Sequence, residues 1–261
     1  MTTELAVVGA AGRMGSAVLE AATERDGTTV VAAVVEPGSE VVGETLEPGE
    51  VTAIDDPTAA ATAADVFVDF SAPEATVEVA EVSARTGTPL VSGTTGLTDT
   101  QRSTVDSAAE RAPVLRASNF SVGVNLLDRL VALASQATDG GFDIEISEAH
   151  HRHKVDAPSG TALMLGETAA DARGQSLAEV ARWGREGEVG ERTDEEIGFQ
   201  VVRGGGIVGE HTVHLCGPDE KLELTHRSLD RSIFAQGALK AVEWIVDRPV
   251  GRYDMEDVLF G

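Results

Sequence analysis

Short apolar runs alternate with longer mixed segments along the first half of the chain. Apolar runs of strand length lie at residues 4–8, 29–35, 65–70, 89–92 and 114–117. Helix start signals stand between them: an acid before proline at Asp56, a capping box over 71–74 and a threonine cap at Thr98. Strands that alternate with helices predict an α/β fold, a doubly wound parallel Rossmann sheet that binds ligands beyond the carboxyl ends of its strands.

The second half has a different pattern, which predicts an α+β domain. Residues 141–148 alternate apolar and polar as a half-buried strand does, and Ser159 can cap a helix behind them. Further strands are predicted at 198–203, 209–216 and 221–227, helices around 126–133 and 233–245, and a mobile loop over 183–196. We expect the last helix to return to the first domain. The predicted domains are residues 1–119 with 230–261, and residues 120–229.

The charge of the chain limits the partners that it can have. The net charge is −24, from 44 acidic and 20 basic residues, so a basic face for nucleic acid is not expected. The chain has one cysteine, and it has no apolar run of the ~18 residues that a membrane span needs. We therefore expect a soluble, cytoplasmic protein without a nucleic-acid or membrane partner. The dispersed acidic excess, with only three lysines, also predicts adaptation to high salt.

A glycine-rich turn follows the first predicted strand. Gly9, Gly12 and Gly15 form a G-x-x-G-x-x-G pattern that leads into a predicted helix. Such glycines let the backbone approach a pyrophosphate at the helix N-terminus. The second strand leads to Glu36, about 20 residues further on, where a carboxylate can accept hydrogen bonds from the ribose hydroxyls. Together these features predict that the first domain binds NADH, NADPH or both.

The most unusual chemistry lies in residues 148–163, EAHHRHKVDAPSGTAL. Three of the six histidines and one of the three lysines fall between His150 and Lys154, and both of these residues can transfer protons. The backbone N–H groups of Gly160 and Thr161, at the predicted helix start, can bind a carboxylate or phosphate. The alternatives are a solvated basic loop and a histidine-rich metal site. We expect no metal, because Arg152 and Lys154 would repel a cation.

The same run closely resembles the signature of the 4-hydroxy-tetrahydrodipicolinate reductases, also called dihydrodipicolinate reductases, of lysine biosynthesis. The segment NFSVGVN at 119–125 is also similar to the family, and the resemblance extends over nearly the whole chain. It implies an NAD(P)H-dependent reduction of the cyclic dicarboxylate derived from 4-hydroxy-tetrahydrodipicolinate to tetrahydrodipicolinate, on the route to diaminopimelate and lysine. It also implies a homotetramer, built through the β-rich half of the chain.

The resemblance implies a role for each matching residue. His150 would be the proton donor or acceptor and Lys154 the second proton donor, while His151, Gly160 and Thr161 would bind the substrate carboxylates. The domain over 120–229 would bind substrate and form the oligomer, and the other domain would bind the dinucleotide. The dinucleotide contacts implied are Gly9, Ala10, Ala11, Gly12, Arg13, Met14, Glu36, Gly93, Thr94, Thr95, Ala117, Ser118, Asn119 and Phe120.

The chain departs from the commoner pattern of the family at one position. Many members follow the acid at the end of the second strand with an arginine that receives the 2′-phosphate of NADPH. Here Pro37, Gly38 and Ser39 follow Glu36, so that arginine is missing. Arg13, in the glycine turn, is the nearby cation that remains.

Two interpretations of other classes stay open at this point. An amino-acid dehydrogenase acting on aspartate would share the glycine turn, but it would not need the whole run from His150 to Thr161. A redox-sensing module would bind a dinucleotide and catalyse nothing, and such a protein should lack the proton donors His150 and Lys154.

The acidic excess makes a prediction about salt. Because salt screens charges over a Debye length of ~3 Å at 1 M, self-repulsion within a chain of net charge −24 should weaken as salt rises. We expect the melting temperature and any activity to increase between about 0.1 M and about 2 M KCl. A melting temperature that stays constant or falls over this range would contradict adaptation to high salt.

Overall fold

The computed structural model describes residues 2–138 and 140–261. The helices are α1 (Arg13–Thr23), α2 (Pro57–Ala61), α3 (Pro73–Thr86), α4 (Asp99–Ala108), α5 (Val122–Ala137), α6 (Gly160–Ala172), α7 (Leu177–Val180), α8 (Ser232–Ile245) and α9 (Met255–Phe260). The strands are β1 (Thr3–Val8), β2 (Thr28–Val34), β3 (Thr45–Leu46), β4 (Val51–Ile54), β5 (Val66–Asp69), β6 (Leu90–Ser92), β7 (Pro113–Arg116), β8 (Asp143–His150), β9 (Ala181–Arg182), β10 (Ile197–Arg203), β11 (Gly209–Cys216), β12 (Lys221–Ser228) and β13 (Gly251–Tyr253).

The described residues form two compact units. The first unit is Met1–Ser121 with Ser232–Gly261, and the second is Val122–Arg231. The two boundaries between the units, after Ser121 and after Arg231, each lie two residues C-terminal to the boundary predicted from the sequence.

The first unit contains an eight-stranded sheet in the order β13-β7-β6-β5-β1-β2-β4-β3. Its strand pairs are parallel, except that β3 pairs antiparallel with β4. The chain passes from β1 to β2 and β4 on one side and returns to β5 on the other, so the order reverses beside β1. This confirms the predicted doubly wound sheet, in which ligands bind at such a reversal.

Helices cover both faces of this sheet, and each face has its own apolar core. Helices α2, α3 and α4 pack over one core, and α1, α8 and α9 over the other. The stripe on α8 includes Ala238, Leu239 and Val242, all buried in the second of these cores. The Arg25 guanidinium makes a bidentate ion pair with Glu243 of α8, at 2.6 and 2.8 Å. Helix α8, the last helix predicted from the sequence, therefore packs in the first unit, as predicted.

The second unit contains a five-stranded mixed sheet in the order β12-β11-β8-β10-β9. Strand β11 pairs antiparallel with β8 and β12, whereas β10 runs parallel to β8 and β9. Helices α5 and α6 pack over a core that includes Ile144, Ile146 and Val213. Residues of β8 and β11 alternate between buried and half-buried, so one face of the sheet lines this core. This confirms the predicted α+β unit.

The structure corrects two details of the sequence analysis. The capping box over 71–74 is wrong: α3 starts behind Ala72 without a side-chain cap, because the Ser71 hydroxyl donates to the buried Asp69 carboxylate instead. Strand β8 also continues to His150, two residues beyond its predicted end at 148, because it pairs with β10 and β11 along this length.

Several short elements were not predicted, namely β3, β4, α7, β9, β13 and α9. The predicted mobile loop over 183–196 contains no helix or strand. Within it, Arg185 makes ion pairs with Glu145 of β8, at 2.8 Å, and with Glu196, at 3.1 Å. Ion pairs of Arg185, and not β-strand hydrogen bonds, therefore connect this loop to the sheet.

Candidate active site

The glycine turn in the first unit brings backbone segments closer together than any residue with a Cβ would allow. Gly9 has a φ of +76°, and a Cβ there would lie 2.7 Å from the Phe70 carbonyl oxygen. A Cβ on Gly15 would lie 2.1 Å from the Gly9 carbonyl oxygen. Only glycine fits both positions without rearrangement. Helix α1 begins directly behind Gly12, which provides no side-chain cap for the first amides of the helix.

A cleft of about 760 Å³ opens beside this turn. Residues that follow β1, β2, β4 and β5 line it, and they include Gly9, Ala11, Gly12, Glu36 and Ser39. The described lining residues include four carboxylates, Glu36, Asp55, Glu74 and Glu78, and no lysine, arginine or histidine. The size of the cleft and its position at a helix N-terminus fit the adenosine and pyrophosphate of a dinucleotide. Its acidic lining suits unphosphorylated ribose better than a 2′-phosphate.

Other residues predicted to bind the dinucleotide do not line this cleft. Ala10 is buried in the core, and Arg13 and Met14 form the first turn of α1. The segments Gly93–Thr95 and Ala117–Phe120 lie beside Phe70, which does line the cleft: a Cβ on Gly93 would be 2.2 Å from the Phe70 ring, and the Phe120 ring packs edge-on against it at 5.5 Å.

A buried carboxylate that was not predicted from the sequence connects the loop after β5 with the end of β6 and the loop that follows it. Asp69, at the end of β5, is completely buried and accepts hydrogen bonds from Ser71, Thr76, Ser92 and Thr94. These donors come from the loop after β5, from α3, and from the end of β6 and the loop after it. Asp69 therefore orders the carboxyl ends of two neighbouring strands. The signal in the sequence was an acid ending an apolar strand, followed by small hydroxyl residues.

The second unit brings the unusual residues together at the end of β8. Ile144, Ile146, Glu148 and His150 all lie on the buried face of this strand, the first two in the core and the last two at its carboxyl end. The ordinary alternation of a strand thus places an acid and a histidine on the same face. Both are polar groups largely removed from water, so both need hydrogen-bond partners.

Glu148 is the centre of a hydrogen-bond network. Its carboxylate accepts both Arg203 Nη atoms at 2.7 Å and the Ser159 N–H at 3.0 Å, and His150 Nδ1 lies 2.7 Å from Oε2. Burial alone would raise the pKa of Glu148, but the hydrogen bonds from Arg203, His150 and Ser159 outweigh it and lower the pKa below its usual value. Glu148 is therefore ionised at neutral pH. Neither Glu148 nor Arg203 is among the site residues predicted from the sequence.

Ser159 and His211 connect this network to helix α6. The Ser159 hydroxyl accepts the Ala162 N–H at 3.2 Å, which caps α6 as predicted, and it is hydrogen-bonded to His211 Nε2 at 2.9 Å. The His211 ring lies edge-on to the His150 ring at 5.1 Å. Burial, the larger cause, and the neighbouring His150 together lower the pKa of His211 to about 4. His211 is therefore neutral at physiological pH.

The loop between β8 and α6 carries the remaining predicted residues. Lys154 Nζ lies 2.9 Å from Asp156 Oδ1, and Arg231 donates to His151 Nε2 at 3.1 Å. Partial burial and the Arg231 charge lower the pKa of His151, which is consistent with a neutral ring that accepts this hydrogen bond. Gly160 begins α6, followed by Thr161. Arg231 was not predicted, since it lies far along the chain from this loop.

Comparison with known proteins gives consistent matches over both units. Family models described as "Dihydrodipicolinate reductase, N-terminus" and "Dihydrodipicolinate reductase, C-terminus" match residues 3–120 and 123–259. The chain is 52% identical over 267 residues to a 4-hydroxy-tetrahydrodipicolinate reductase of Alkalilimnicola ehrlichii, and 50% identical over 264 residues to one of Thiobacillus denitrificans. Each match covers 99% of this chain and 99% of the relative.

A solved structure has a similar fold over the whole length. It is the dipicolinate-bound dihydrodipicolinate reductase from Paenisporosarcina sp. TG-14, which matches with a TM-score of 0.81 and 25% sequence identity. The match covers 99% of this chain and 100% of that chain.

The lowered pKa of His211 makes a prediction about stability. A histidine that stays neutral in the folded protein but protonates when unfolded destabilises the fold as pH falls from about 6.5 to about 4. The unfolding free energy of the wild type should therefore decrease between about pH 7 and about pH 5. In His211→Gln, which keeps an acceptor for Ser159, we expect this decrease to be smaller by about 1–2 kcal/mol. Urea unfolding at the two pH values measures this, with the exposed His153→Gln as the control. An unchanged pH dependence in His211→Gln would show that His211 protonates alike in both states.

Proposed function

The chain belongs to the dihydrodipicolinate reductase family, and we propose on that basis that it reduces the cyclic intermediate derived from 4-hydroxy-tetrahydrodipicolinate to tetrahydrodipicolinate, using NADH or NADPH. The observation that carries the proposal is the full-length identity of about half to reductases of this name. The geometry supports it, because the first unit offers a dinucleotide cleft and the second offers acid–base groups beside a helix N-terminus. This reaction belongs to the biosynthesis of diaminopimelate and lysine.

The first unit holds the cofactor in this proposal. Gly9 to Met14 surround the pyrophosphate, and Glu36 accepts hydrogen bonds from the ribose hydroxyls. Gly93 to Thr95 and Ala117 to Phe120 contact the other half of the dinucleotide, near Phe70. When bound, the reduced nicotinamide supplies a hydride to the substrate ring, so the charge left on the ring has to be neutralised by a proton.

His150 and Lys154 supply the protons. His150 Nδ1 faces Glu148, which leaves Nε2 as the ring atom for proton transfer to the substrate. Lys154 is an ammonium with three N–H bonds, one directed at Asp156, so the others can donate to the substrate. A general acid of this kind accelerates a reaction by about 10²–10⁴-fold.

The substrate carboxylates bind between the loop after β8 and the start of α6. The amides of Gly160 and Thr161 lie in the first turn of α6, where backbone N–H groups and the helix dipole favour an anion. His151, held by Arg231, is the third substrate ligand. The related reductase that is solved with dipicolinate, a flat ring with two carboxylates, supports a dicarboxylate of this shape.

We also propose a homotetramer and a cytoplasmic location. The face of the second sheet away from α5 and α6 carries half-buried polar residues such as Ser147, Thr212 and His214, and a second copy could cover it. No helix in residues 2–138 and 140–261 is long and apolar enough to cross a membrane. The mass of the protein in solution at molar salt, measured by light scattering, tests the oligomeric state.

The activity is tested by following NAD(P)H oxidation with freshly generated 4-hydroxy-tetrahydrodipicolinate at molar salt. Aspartate with NAD⁺ tests the amino-acid dehydrogenase alternative in the same preparation. Dinucleotide binding without turnover of either substrate would favour the redox-sensing alternative and contradict the proposal.

The first prediction for this mechanism concerns the two proton donors. We expect Lys154→Ala and His150→Ala each to lower kcat by about 10²–10⁴-fold while NADH binding changes little, because each variant removes a proton-transfer group from the second unit. Steady-state kinetics and NADH titration measure the two effects. Lys221→Ala is the matched control, since Lys221 pairs with Glu223 on strand β12. Turnover like that of the wild type in either variant would remove that residue from the mechanism.

The second prediction concerns the choice of cofactor. A 2′-phosphate beside Glu36 would face the acidic lining of the cleft, and one charge-assisted hydrogen bond from Arg13, worth about 1.5–3 kcal/mol, would do no more than offset this repulsion. We therefore expect both cofactors to be accepted, with NADH used at least as well as NADPH. The measurement is kcat/KM for each cofactor at one fixed high salt concentration.

Arg13→Ala separates two explanations of the outcome. If Arg13 contacts the 2′-phosphate, the variant loses more kcat/KM with NADPH than with NADH. Equal losses would mean that Arg13 holds the shared pyrophosphate or only shapes the turn. A preference of the wild type for NADPH above about tenfold, or ~1.4 kcal/mol, would reveal a further ligand of the 2′-phosphate besides Arg13.

A further inference from the structure

We propose that Glu148 is a positioning residue, which sets the tautomer of His150 and ties it to the start of helix α6. The inference rests on the proposed function, because it takes His150 as the proton-transfer group and the first turn of α6 as the site for a substrate carboxylate.

The tautomer follows from the partners of Glu148. An ionised carboxylate can only accept hydrogen bonds, so His150 Nδ1, 2.7 Å from Oε2, has to carry a hydrogen. In the neutral ring the other nitrogen, Nε2, then carries the lone pair. A Cβ on Gly209 would lie 3.1 Å from Nε2, so glycine at this position leaves room beside that atom. Glu148 thus orients the ring and selects the nitrogen that exchanges the proton with substrate.

The second oxygen of Glu148 binds the helix start. Oε1 accepts the N–H of Ser159, the residue directly before α6, at 3.0 Å. The Ser159 hydroxyl in turn caps the helix through Ala162. The two oxygens of one carboxylate therefore hold the proton-transfer ring and the anion-binding turn in a fixed relation. A substrate carboxylate bound at the turn would be presented at a set distance from His150.

Arg203 keeps Glu148 in the ionised form that this role requires. The guanidinium binds both carboxylate oxygens and also donates to the Asp156 carbonyl oxygen at 2.6 Å. The side chain of Asp156 is the partner of Lys154, so both proton donors connect to Arg203 through short contacts. Since Arg203 also cancels the charge of Glu148, the network adds no net carboxylate charge to repel an anionic substrate.

The test is Glu148→Gln, which keeps the shape but replaces an acceptor oxygen with a donor amide. The Ser159 N–H can only donate, whereas His150 Nδ1 can also accept, so the amide oxygen stays with Ser159 and the amide nitrogen faces Nδ1. Nδ1 must then accept, and the hydrogen moves to Nε2. We expect kcat to fall by about 10²-fold or more, with KM changing by less than about threefold.

Glu145→Gln is the matched control. Glu145 lies three residues earlier on β8, on the opposite face of the sheet, and it is also bound by an arginine, Arg185. This variant removes a carboxylate from the same strand and breaks a similar ion pair. We expect it to leave kcat unchanged.

A measurement on the protein without substrate separates this inference from the proposed function. In ¹⁵N-histidine spectra of the full chain, the His150 signals, identified by their loss in His150→Asn, should show the Nδ1–H tautomer in the wild type and the Nε2–H tautomer in Glu148→Gln. The same tautomer in both proteins would overturn the positioning role, whether or not the reductase assay succeeds. If the assay fails but the tautomer switches, the proposed function fails and the coupling of Glu148 to His150 stands.

Glu148→Asp covers the case in which the glutamine variant does not fold. Aspartate keeps the charge but is one methylene shorter, so it cannot reach His150 and Ser159 with the same geometry. We expect the Nδ1–H tautomer to persist while kcat falls, by less than in Glu148→Gln. Wild-type kcat in a folded Glu148→Asp would contradict the requirement for a fixed distance between ring and helix.

Discussion

A carboxylate that leaves water is costly unless hydrogen bonds and an opposite charge replace its hydration, and the second unit is arranged around one such group. Glu148 is 2% exposed and takes donors from Arg203, Ser159 and His150. These donors come from three places in the chain, so the ends of β8 and β10 and the start of α6 must meet at this point. The positions of His150 and of the first turn of α6 follow from that requirement.

The first unit also buries a carboxylate, and it stabilises this group with neutral hydrogen-bond donors. Asp69 is also a buried acid at the end of a strand, but its donors are the Ser71 amide and hydroxyl groups of serine and threonine rather than a guanidinium. Several neutral donors can stabilise an anion because each supplies part of the lost hydration. In each unit a buried acid at the carboxyl end of a strand thus holds the loops that the proposed ligand contacts.

The two proposed sites differ in how they attract anions in a chain whose overall charge is strongly negative. A net charge of −24 should repel an anionic cofactor and an anionic dicarboxylate over the whole surface. Locally, the second unit places the cations Arg231 and Lys154 around the loop after β8, while Arg203 balances the charge of Glu148. The cleft of the first unit has no such cations among its described lining residues, and there the backbone amides of a helix start remain as the attraction. Salt, which screens long-range repulsion but not short contacts, should therefore favour binding at both sites.

The sequence by itself determined the features that depend on neighbours along the chain. The period of apolar residues predicted most strands of both sheets, though not β3, β4, β9 or β13. The caps at Asp56, Thr98 and Ser159 form as their local patterns indicate. The cap predicted at Ser71 fails because the buried Asp69, a tertiary feature, competes for its hydroxyl. Only the tertiary structure decided that Arg203 meets Glu148 and that His211 meets Ser159, residues 55 and 52 positions apart. These contacts exist because β8 lies between β10 and β11, and strand order is set by the packing of the whole sheet rather than by any local pattern.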